Sequence, residues 1–279
     1  TSRRIIGLAG TVEVKGRDGS GLDLVSKVTY GYDAGNFDGT GQNISAVGHD
    51  GTNYGSGFVA GRGNLTSETR WNVESGKEGN LAYAIGSSAK YNTAGAVVSQ
   101  TTPWDGSSTR TVTVDYTDSF NSGGIAATYA YPTKITDPRG AVTDITYNVL
   151  GSTTQIAYTP VSGLPDTPTV TFGYDDLGNR VSMDTAGVSE VTYAYDPLSR
   201  MTSETVNFDD LANNLTIGYT YGLTGLKSIT DPSGKEIEYA KDRAGRLTAV
   251  TGDTFGQNTT GAYASGIEYR AFGQVKQMD

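Results

Sequence analysis

Stretches in which polar and apolar residues alternate recur along the chain, each long enough for a single strand. Arg246-Leu247-Thr248-Ala249-Val250-Thr251, Leu226-Lys227-Ser228-Ile229-Thr230, Lys235-Glu236-Ile237-Glu238-Tyr239 and Ala141-Val142-Thr143-Asp144-Ile145-Thr146-Tyr147 are clear examples. A period of two with Val, Ile, Thr and Tyr predicts half-buried β-strands. Helical periodicity is weak throughout, and the best short candidate, Asp209 to Asn213, is one turn at most.

Two kinds of turn separate these stretches. In the first, a tyrosine is followed by Asp, Asn or Gly, two variable residues and a glycine. Tyr174-Asp175-Asp176-Leu177-Gly178-Asn179-Arg180 and Tyr195-Asp196-Pro197-Leu198-Ser199-Arg200 are the clearest copies. Tyr221-Gly222-Leu223-Thr224-Gly225, Tyr147-Asn148-Val149-Leu150-Gly151 and Tyr91-Asn92-Thr93-Ala94-Gly95 are close relatives. Asp or Asn at the first turn position can accept backbone N–H groups, and Gly at the fourth takes the left-handed conformation that leads into the returning strand. The second kind is Asp231-Pro232-Ser233-Gly234 or Asp137-Pro138-Arg139-Gly140, where Pro presets φ and Gly closes the turn.

Two strands and two turns make one repeat, and turns at opposite ends make an antiparallel meander that extends by adding hairpins. Strand twist curls such a sheet. Tyr147, Tyr174, Tyr195 and Tyr221 lie 27, 21 and 26 residues apart, so length varies at the turns. Some copies are degraded. Ser199 stands where Gly is expected, at about 1 kcal/mol if the left-handed geometry is kept. Arg270 replaces Asp between Tyr269 and Gly273, and Tyr239 is separated from Asp242 and Gly245 by two extra residues.

From about Tyr129 to Asp279 the chain resembles the YD-repeat, or Rhs-repeat, family. The Tyr-Asp pairs, Gly178-Asn179-Arg180, Gly245-Arg246-Leu247-Thr248, and the Ile229-Thr230-Asp231-Pro232 and Ile135-Thr136-Asp137-Pro138 phrases carry the resemblance. Tyr30-Gly31-Tyr32-Asp33-Ala34-Gly35-Asn36 and Arg62-Gly63-Asn64-Leu65-Thr66-Ser67-Glu68-Thr69 follow the same grammar with longer insertions. One continuous array is expected, with divergent repeats over 1–128 and regular ones over 129–279. The resemblance implies an all-β fold of antiparallel hairpin repeats in a strip that spirals into a hollow shell, as in bacterial Rhs proteins, toxin-complex cocoons and teneurins. It further implies a secreted or cell-surface setting, with other repeats and an enclosed C-terminal segment of the same polypeptide as partners.

Composition sharpens this picture. The 279 residues include 38 Gly and 18 Tyr against 7 Phe and 2 Trp, so most aromatic surface carries a hydroxyl that can stay hydrogen-bonded while the ring packs. Mean hydropathy is −0.37 and no run of about 18 apolar residues suggests a membrane-spanning helix. The chain has no initiator Met and stops within a repeat, which is expected of a fragment of a longer protein. Its open first and last strands are expected to permit edge-to-edge self-association. The absence of cysteine removes disulfides and thiolate sites, and a net charge of −9 disfavours nucleic acid, with only Arg3-Arg4 as a basic pair.

Little chemistry stands apart from the turns. His49 is the only histidine, set among glycines in a loop, so a multi-histidine metal site is excluded. Asp175-Asp176 and Asp209-Asp210 could pair as acid and base, but Asp175 has a turn role and the second pair reads as a solvated loop. Asp33-Ala34-Gly35-Asn36-Phe37-Asp38-Gly39 offers oxygen ligands for calcium without a recognised calcium motif. Sequons occur at Asn43, Asn64, Asn214 and Asn258. No cofactor is expected. The leading expectation is a non-enzymatic scaffold that encloses, shields or displays another part of the polypeptide. The alternative is a carbohydrate-binding or adhesion module using exposed aromatics, with Trp71 and Trp104 as candidate sugar platforms.

Overall fold

A computed structural model describes residues 7–17, 21–35, 43–59, 61–104, 108–118, 127–253 and 260–279. The chain divides into two compact units, Thr1–Thr167 and Pro168–Asp279. Both are built from antiparallel strands in chain order, so the fold is all-β.

The first unit contains β1 (Thr11–Arg17), β2 (Leu22–Tyr32), β3 (Leu65–Trp71), β4 (Ile85–Tyr91), β5 (Val97–Pro103), β6 (Thr109–Asp115), β7 (Lys134–Thr136), β8 (Val142–Tyr147) and β9 (Thr153–Thr159). Each pairs with the next as a meander. The helical content described is a single turn, α1 (Gly51–Tyr54), and a 3-10 turn at Leu81–Tyr83. Neither was expected. Asp209–Asn213 forms a hairpin loop instead, in which the Leu211 N–H donates to Phe208 O.

The second unit contains β10 (Val170–Tyr174), β11 (Arg180–Thr185), β12 (Ser189–Tyr195), β13 (Met201–Phe208), β14 (Leu215–Gly222), β15 (Gly225–Thr230), β16 (Glu236–Lys241), β17 (Leu247–Asp253) and β18 (Thr260–Ala264). These also pair consecutively, and a separate two-stranded hairpin follows, β19 (Glu268–Tyr269) with β20 (Val275–Gln277).

The register gives the second unit two unlike faces. Phe172, Met183, Val191, Val206 and Leu215 occupy one row across β10–β14, and Ile217, Tyr219, Ile229, Ile237 and Val250 continue the same face, with Glu204 as a charged residue between Tyr193 and Ile217. The opposite face carries Ser182, Thr192, Thr205 and Thr216 in one row, with Thr220, Ser228, Glu238 and Thr251 in another. Hydroxyls pair across strands on this face, Thr205 with Thr216 at 2.9 Å and Thr220 with Ser228 at 2.6 Å. Among the described residues only Val191 and Ile267 are buried apolar side chains. Neither unit therefore holds the packed apolar core of a two-layer domain; stability rests on strand pairing and on what happens at the turns.

Every tyrosine turn coincides with a change of register. In β12–β13, Ala194 faces Ser203 while Tyr195 faces Met201, leaving one extra residue on the returning strand. The same slip precedes Tyr32, Tyr91, Tyr147, Tyr174, Tyr221 and Tyr269. The Asp137 and Asp231 turns, at the other strand ends, show none. A bulge re-aims the side chain beside it, and here that side chain is the tyrosine.

The fourth turn position takes a positive φ, which favours glycine: Gly178 has φ +83° and Gly245 φ +79°, and Ser199 adopts +58° in the place of glycine. Gly178→Val is expected to lower the urea midpoint by the equivalent of about 2 kcal/mol, because a β-branched residue resists positive φ. Asp176→Ala, on the exposed part of the same turn, should change it by no more than about 0.5 kcal/mol. Equal midpoints for the two variants would contradict this account.

Candidate functional site

The tyrosine turns repeat one hydrogen-bond pattern. In the Asp175 turn, the Gly178 N–H donates to Asp175 O and the Asp175 N–H to Asn179 O. The Asp175 carboxylate Oδ1 then accepts the N–H groups of Leu177 and Asn179 at 3.0 and 2.8 Å. Asp196, Asp242 and Asn148 do the same for their turns. Asp137 and Asp231 cap the opposite turns identically, with Pro138 and Pro232 following them; Gly140 and Gly234 close these turns at φ +91° and +83°.

The second carboxylate oxygen serves the residue after the turn glycine. Asp175 Oδ2 accepts from Asn179 Nδ2 at 2.9 Å, and Asp196 and Asp242 accept from Arg200 and Arg246 Nε at 2.7 and 2.8 Å. These bonds hold the carboxyls below the ordinary range: Asp175 chiefly through Asn179, Asp196 through Arg200, and Asp242 through the backbone and side chain of Arg246.

The tyrosine hydroxyl links one turn to the previous one. Tyr195 Oη donates to Arg180 O at 2.9 Å, and Arg180 is the first strand residue after the Asp175 turn. Tyr221 reaches Met201 O, Tyr269 reaches Leu247 O, Tyr91 reaches Leu65 O and Tyr147 reaches Pro132 O, all at 2.8–2.9 Å. Arginine completes the link in two places, with Arg200 4.5 Å from the Tyr221 ring centroid and Arg246 4.9 Å from that of Tyr269.

The degraded copies resolve into substitutions within this scheme. No residues are inserted before Asp242: Lys241 occupies the tyrosine position, after the same register slip. Its Nζ donates to Leu226 O at 2.8 Å and Thr224 O at 3.1 Å, and Leu226 is the residue a tyrosine would reach there. The Tyr221 turn is shorter than its relatives, since Gly222 pairs with Gly225 around Leu223 and Thr224 and no Asx cap exists. Arg270 keeps the backbone bonds of the turn, Gly273 N–H to Arg270 O and Arg270 N–H to Gln274 O.

Two insertions depart from the grammar, both in the first unit. Tyr32-Asp33 and Gly63-Asn64-Leu65 are the two halves of one turn: Tyr32 pairs with Leu65 and the Asp33 N–H donates to Asn64 O. Asp33 closes the split turn by accepting the N–H groups of Gly61, Arg62, Gly63 and Asn64 at 2.8–3.1 Å, with its own φ at +64°. Its carboxylate is thereby engaged, and residues 36–39 of the calcium candidate lie outside the described residues. The second insertion joins β6 to β7, where Asp118 accepts from the N–H groups of Thr128 and Tyr129.

These insertions lie on either side of the Asn92 turn and meet over it, the Val47 N–H donating to Ala127 O at 2.9 Å. Thr93 is the anchor for the first: Arg62 Nη1 donates to Thr93 O at 2.7 Å, His49 Nε2 lies 2.9 Å from the same oxygen, and Ile44 bonds the Thr93 hydroxyl. Asn92 and Thr93 are consequently 1% exposed, unlike any other tyrosine turn. Below the insertions a cavity of about 460 Å³ opens over Asn92, Thr113, Asp115, Tyr116, Tyr129 and Lys134. A neighbouring groove of about 450 Å³ runs over Asp115, Asp118, Lys134 and Asp144. Burial pushes Asp115 up, but bonds from Thr117 and the charge of Lys134 outweigh it and hold the carboxyl low.

The tryptophans are arranged differently. Trp71 lies across β2, its Nε1 donating to Thr29 Oγ1 at 2.9 Å, while Trp104 is 59% exposed with the Arg110 guanidinium 3.0 Å from its ring centroid. Asp105 and Gly106 beside it, and Asn258, lie outside the described residues. Neither tryptophan lines the two cavities above. Among the described residues no cluster of His, Asp and Glu could hold a metal, and no helix is long and apolar enough to cross a membrane.

Capped, tyrosine-linked hairpins define a structural repeat scaffold. The RHS repeat family model matches residues 174–207, which span the Asp175 and Asp196 turns. The chain thus contains a stretch similar to an RHS repeat. Its fold is similar to that in the crystal structure of TcdB2-TccC3 without the hypervariable C-terminal region, with a TM-score of 0.51 and 16% identity over 96% of this chain and 15% of the other. The TcdB2-TccC3-Cdc42 structure matches 88% of this chain and 12% of the other at 14% identity and a TM-score of 0.47. The Photorhabdus luminescens Tc holotoxin pore matches 78% and 15% at 14% identity and a TM-score of 0.37. The chain thus spans less than a sixth of each of these structures. A search of curated proteins gives no match.

Two predictions test the turns. Lys241→Met removes the donor to Leu226 and Thr224 and should cost about 1 kcal/mol in urea unfolding, whereas Lys241→Tyr should recover most of that. If Tyr is no better than Met, the position is not part of the link. For pH, carboxyls depressed in the folded state stabilise it above their unfolded value of about 3.9, and this contribution disappears as pH falls through the folded values. Stability should therefore fall on acidification below about pH 4. An Asp175→Asn/Asp196→Asn/Asp242→Asn variant, which keeps the Oδ1 caps without titrating, should be less stable at neutral pH and show a shallower acid slope. Urea midpoints measured across the range decide this.

Proposed function

We propose that the chain is a segment of a β-strip whose apolar face shields another stretch of the same polypeptide, as part of a secreted or surface toxin-like assembly. The two-faced sheet of the second unit carries this reading. A row such as Phe172, Met183, Val191, Val206 and Leu215, with no second layer packed on it among the described residues of this unit, is an apolar surface suited to contact with another segment. The opposite face carries hydroxyls and carboxylates, and apart from buried Ser228 it is half-buried or exposed. The toxin-complex proteins with which the fold is shared support the setting.

The role is steric and needs no catalysis by the strip itself. Half-buried side chains spread over many strands can accept a partner of varied sequence, because the contacts are apolar and non-directional. The capped turns keep that surface in register without a core behind it.

A photo-reactive residue at Ile217 in the longer polypeptide is expected to cross-link to a segment of the same chain, while one at Thr205 on the polar face should not. In the 279-residue chain alone, Ile217→Lys should reduce binding of an apolar fluorescent dye and Thr205→Lys should leave it unchanged. Equal cross-linking from both faces, or none from Ile217, would refute the shielding role.

A further inference from the structure

The cavity over the Asn92 turn is not explained by the repeat grammar, which elsewhere leaves the tyrosine turns open to solvent. It exists because two insertions close over one turn and are pinned to it through Thr93 and to each other through Val47 and Ala127. At about 460 Å³ it falls within the range of about 300–1,000 Å³ common for small-molecule sites.

We propose that this cavity is a binding site for a neutral saccharide. Its wall combines what a ring of hydroxyls needs: Asp115 as a charged acceptor, Thr113 as donor or acceptor, Lys134 as donor, and the phenol rings of Tyr116 and Tyr129. Asp115 and Lys134 face each other across β6 and β7 at this wall, so neither sign of charge is in excess there and a neutral ligand is favoured.

Asn92 supplies an independent observation. Its Oδ1 is fixed by the Ala96 N–H at 2.9 Å, which sets the orientation of the amide. Its Nδ2 is then buried without an acceptor. In the Asp175, Asp196 and Asp242 turns the equivalent atom is a carboxylate oxygen that bonds the residue after the glycine. Here that residue is Ala96, and the turn carries a donor in place of an acceptor. An unpaired buried donor is costly, and it sets the Asn92 turn at the cavity wall apart from the Asp175, Asp196 and Asp242 turns. This site is separate from the tryptophans, and the inference does not depend on the shielding role of the other unit.

The test is saturation-transfer NMR on the 279-residue chain with glucose, galactose, N-acetylglucosamine, cellobiose, lactose and chitobiose at millimolar concentration, with sialic acid and putrescine as charged comparisons. At least one neutral sugar is expected to bind. Asp115→Asn, which retains an oxygen for the Thr117 N–H now bonded to Asp115 at 2.8 Å, should weaken it about fivefold or more. Thr113→Val should weaken it as well, and Trp104→Ala should not. Circular dichroism melting confirms that each variant is folded. The proposal is overturned if no neutral sugar binds, if a charged comparison binds more tightly, if Asp115→Asn changes the affinity by less than fivefold, or if Trp104→Ala alone abolishes it. Binding of an extended peptide at these residues with no sugar response would likewise overturn it, and would mark the cavity as a peptide site.

Discussion

A sheet with no second layer must be held at its edges, and here the bond that does so is the tyrosine hydroxyl on a backbone carbonyl one turn back. Strand ladders alone join neighbouring strands, and each hairpin end is free to fray. The Tyr195 bond to Arg180 crosses from one turn to the strand that leaves the previous turn, so opening one hairpin end also loosens the next. The register slip before each tyrosine belongs to the same device, because it coincides with every copy and is absent from the Asp137 and Asp231 turns, which have no tyrosine to aim. Asx caps then fix the turn that presents the ring. Stability in this arrangement is distributed along the strip in nearest-neighbour terms.

That division of labour gives the sheet two faces of different chemistry. In a two-layer domain the apolar face is consumed by the core, and only loops and edges are free to vary. Here Met183, Val191 and Val206 are placed side by side by register, half-buried or buried. The polar face acquires its own order from hydroxyl pairs such as Thr205 with Thr216, a lateral contact that neither adds nor needs a second layer.

Much of this was legible in the sequence because turns impose stringent local chemistry. Positive φ at the fourth position made Gly178 readable as a turn glycine and marked Ser199 as a strained copy, and the structure has Ser199 at φ +58°. The tyrosine link was not legible, since its acceptor is a backbone carbonyl and leaves no mark in side-chain identity. For the same reason Lys241 was mistaken for part of an insertion: alignment by tyrosine hid that a lysine ammonium can reach the same carbonyl. The cavity over Asn92 was also hidden. Its residues come from strands and insertions far apart in sequence, and the tryptophans, more conspicuous as residues, stand elsewhere.

The split Asp33 turn shows how such a scaffold can acquire a site without losing its frame. A conventional turn needs Asx and Gly only a few residues apart, yet Tyr32 still pairs with Leu65 because Asp33 gathers four backbone N–H groups at the far end of the insertion. The carboxylate does for a long excursion what it does for a short turn, and the neighbouring strands see the same register in either case. Inserted chain can then be placed at the tyrosine turns without disturbing the ladder, and its side chains converge on whatever turn lies next to it. Asn92 and Thr93 are buried for that reason alone, as their own sequence differs little from the exposed Asn148 turn. Function specific to one repeat therefore arises where the turns are interrupted, while the regular hairpins supply the frame.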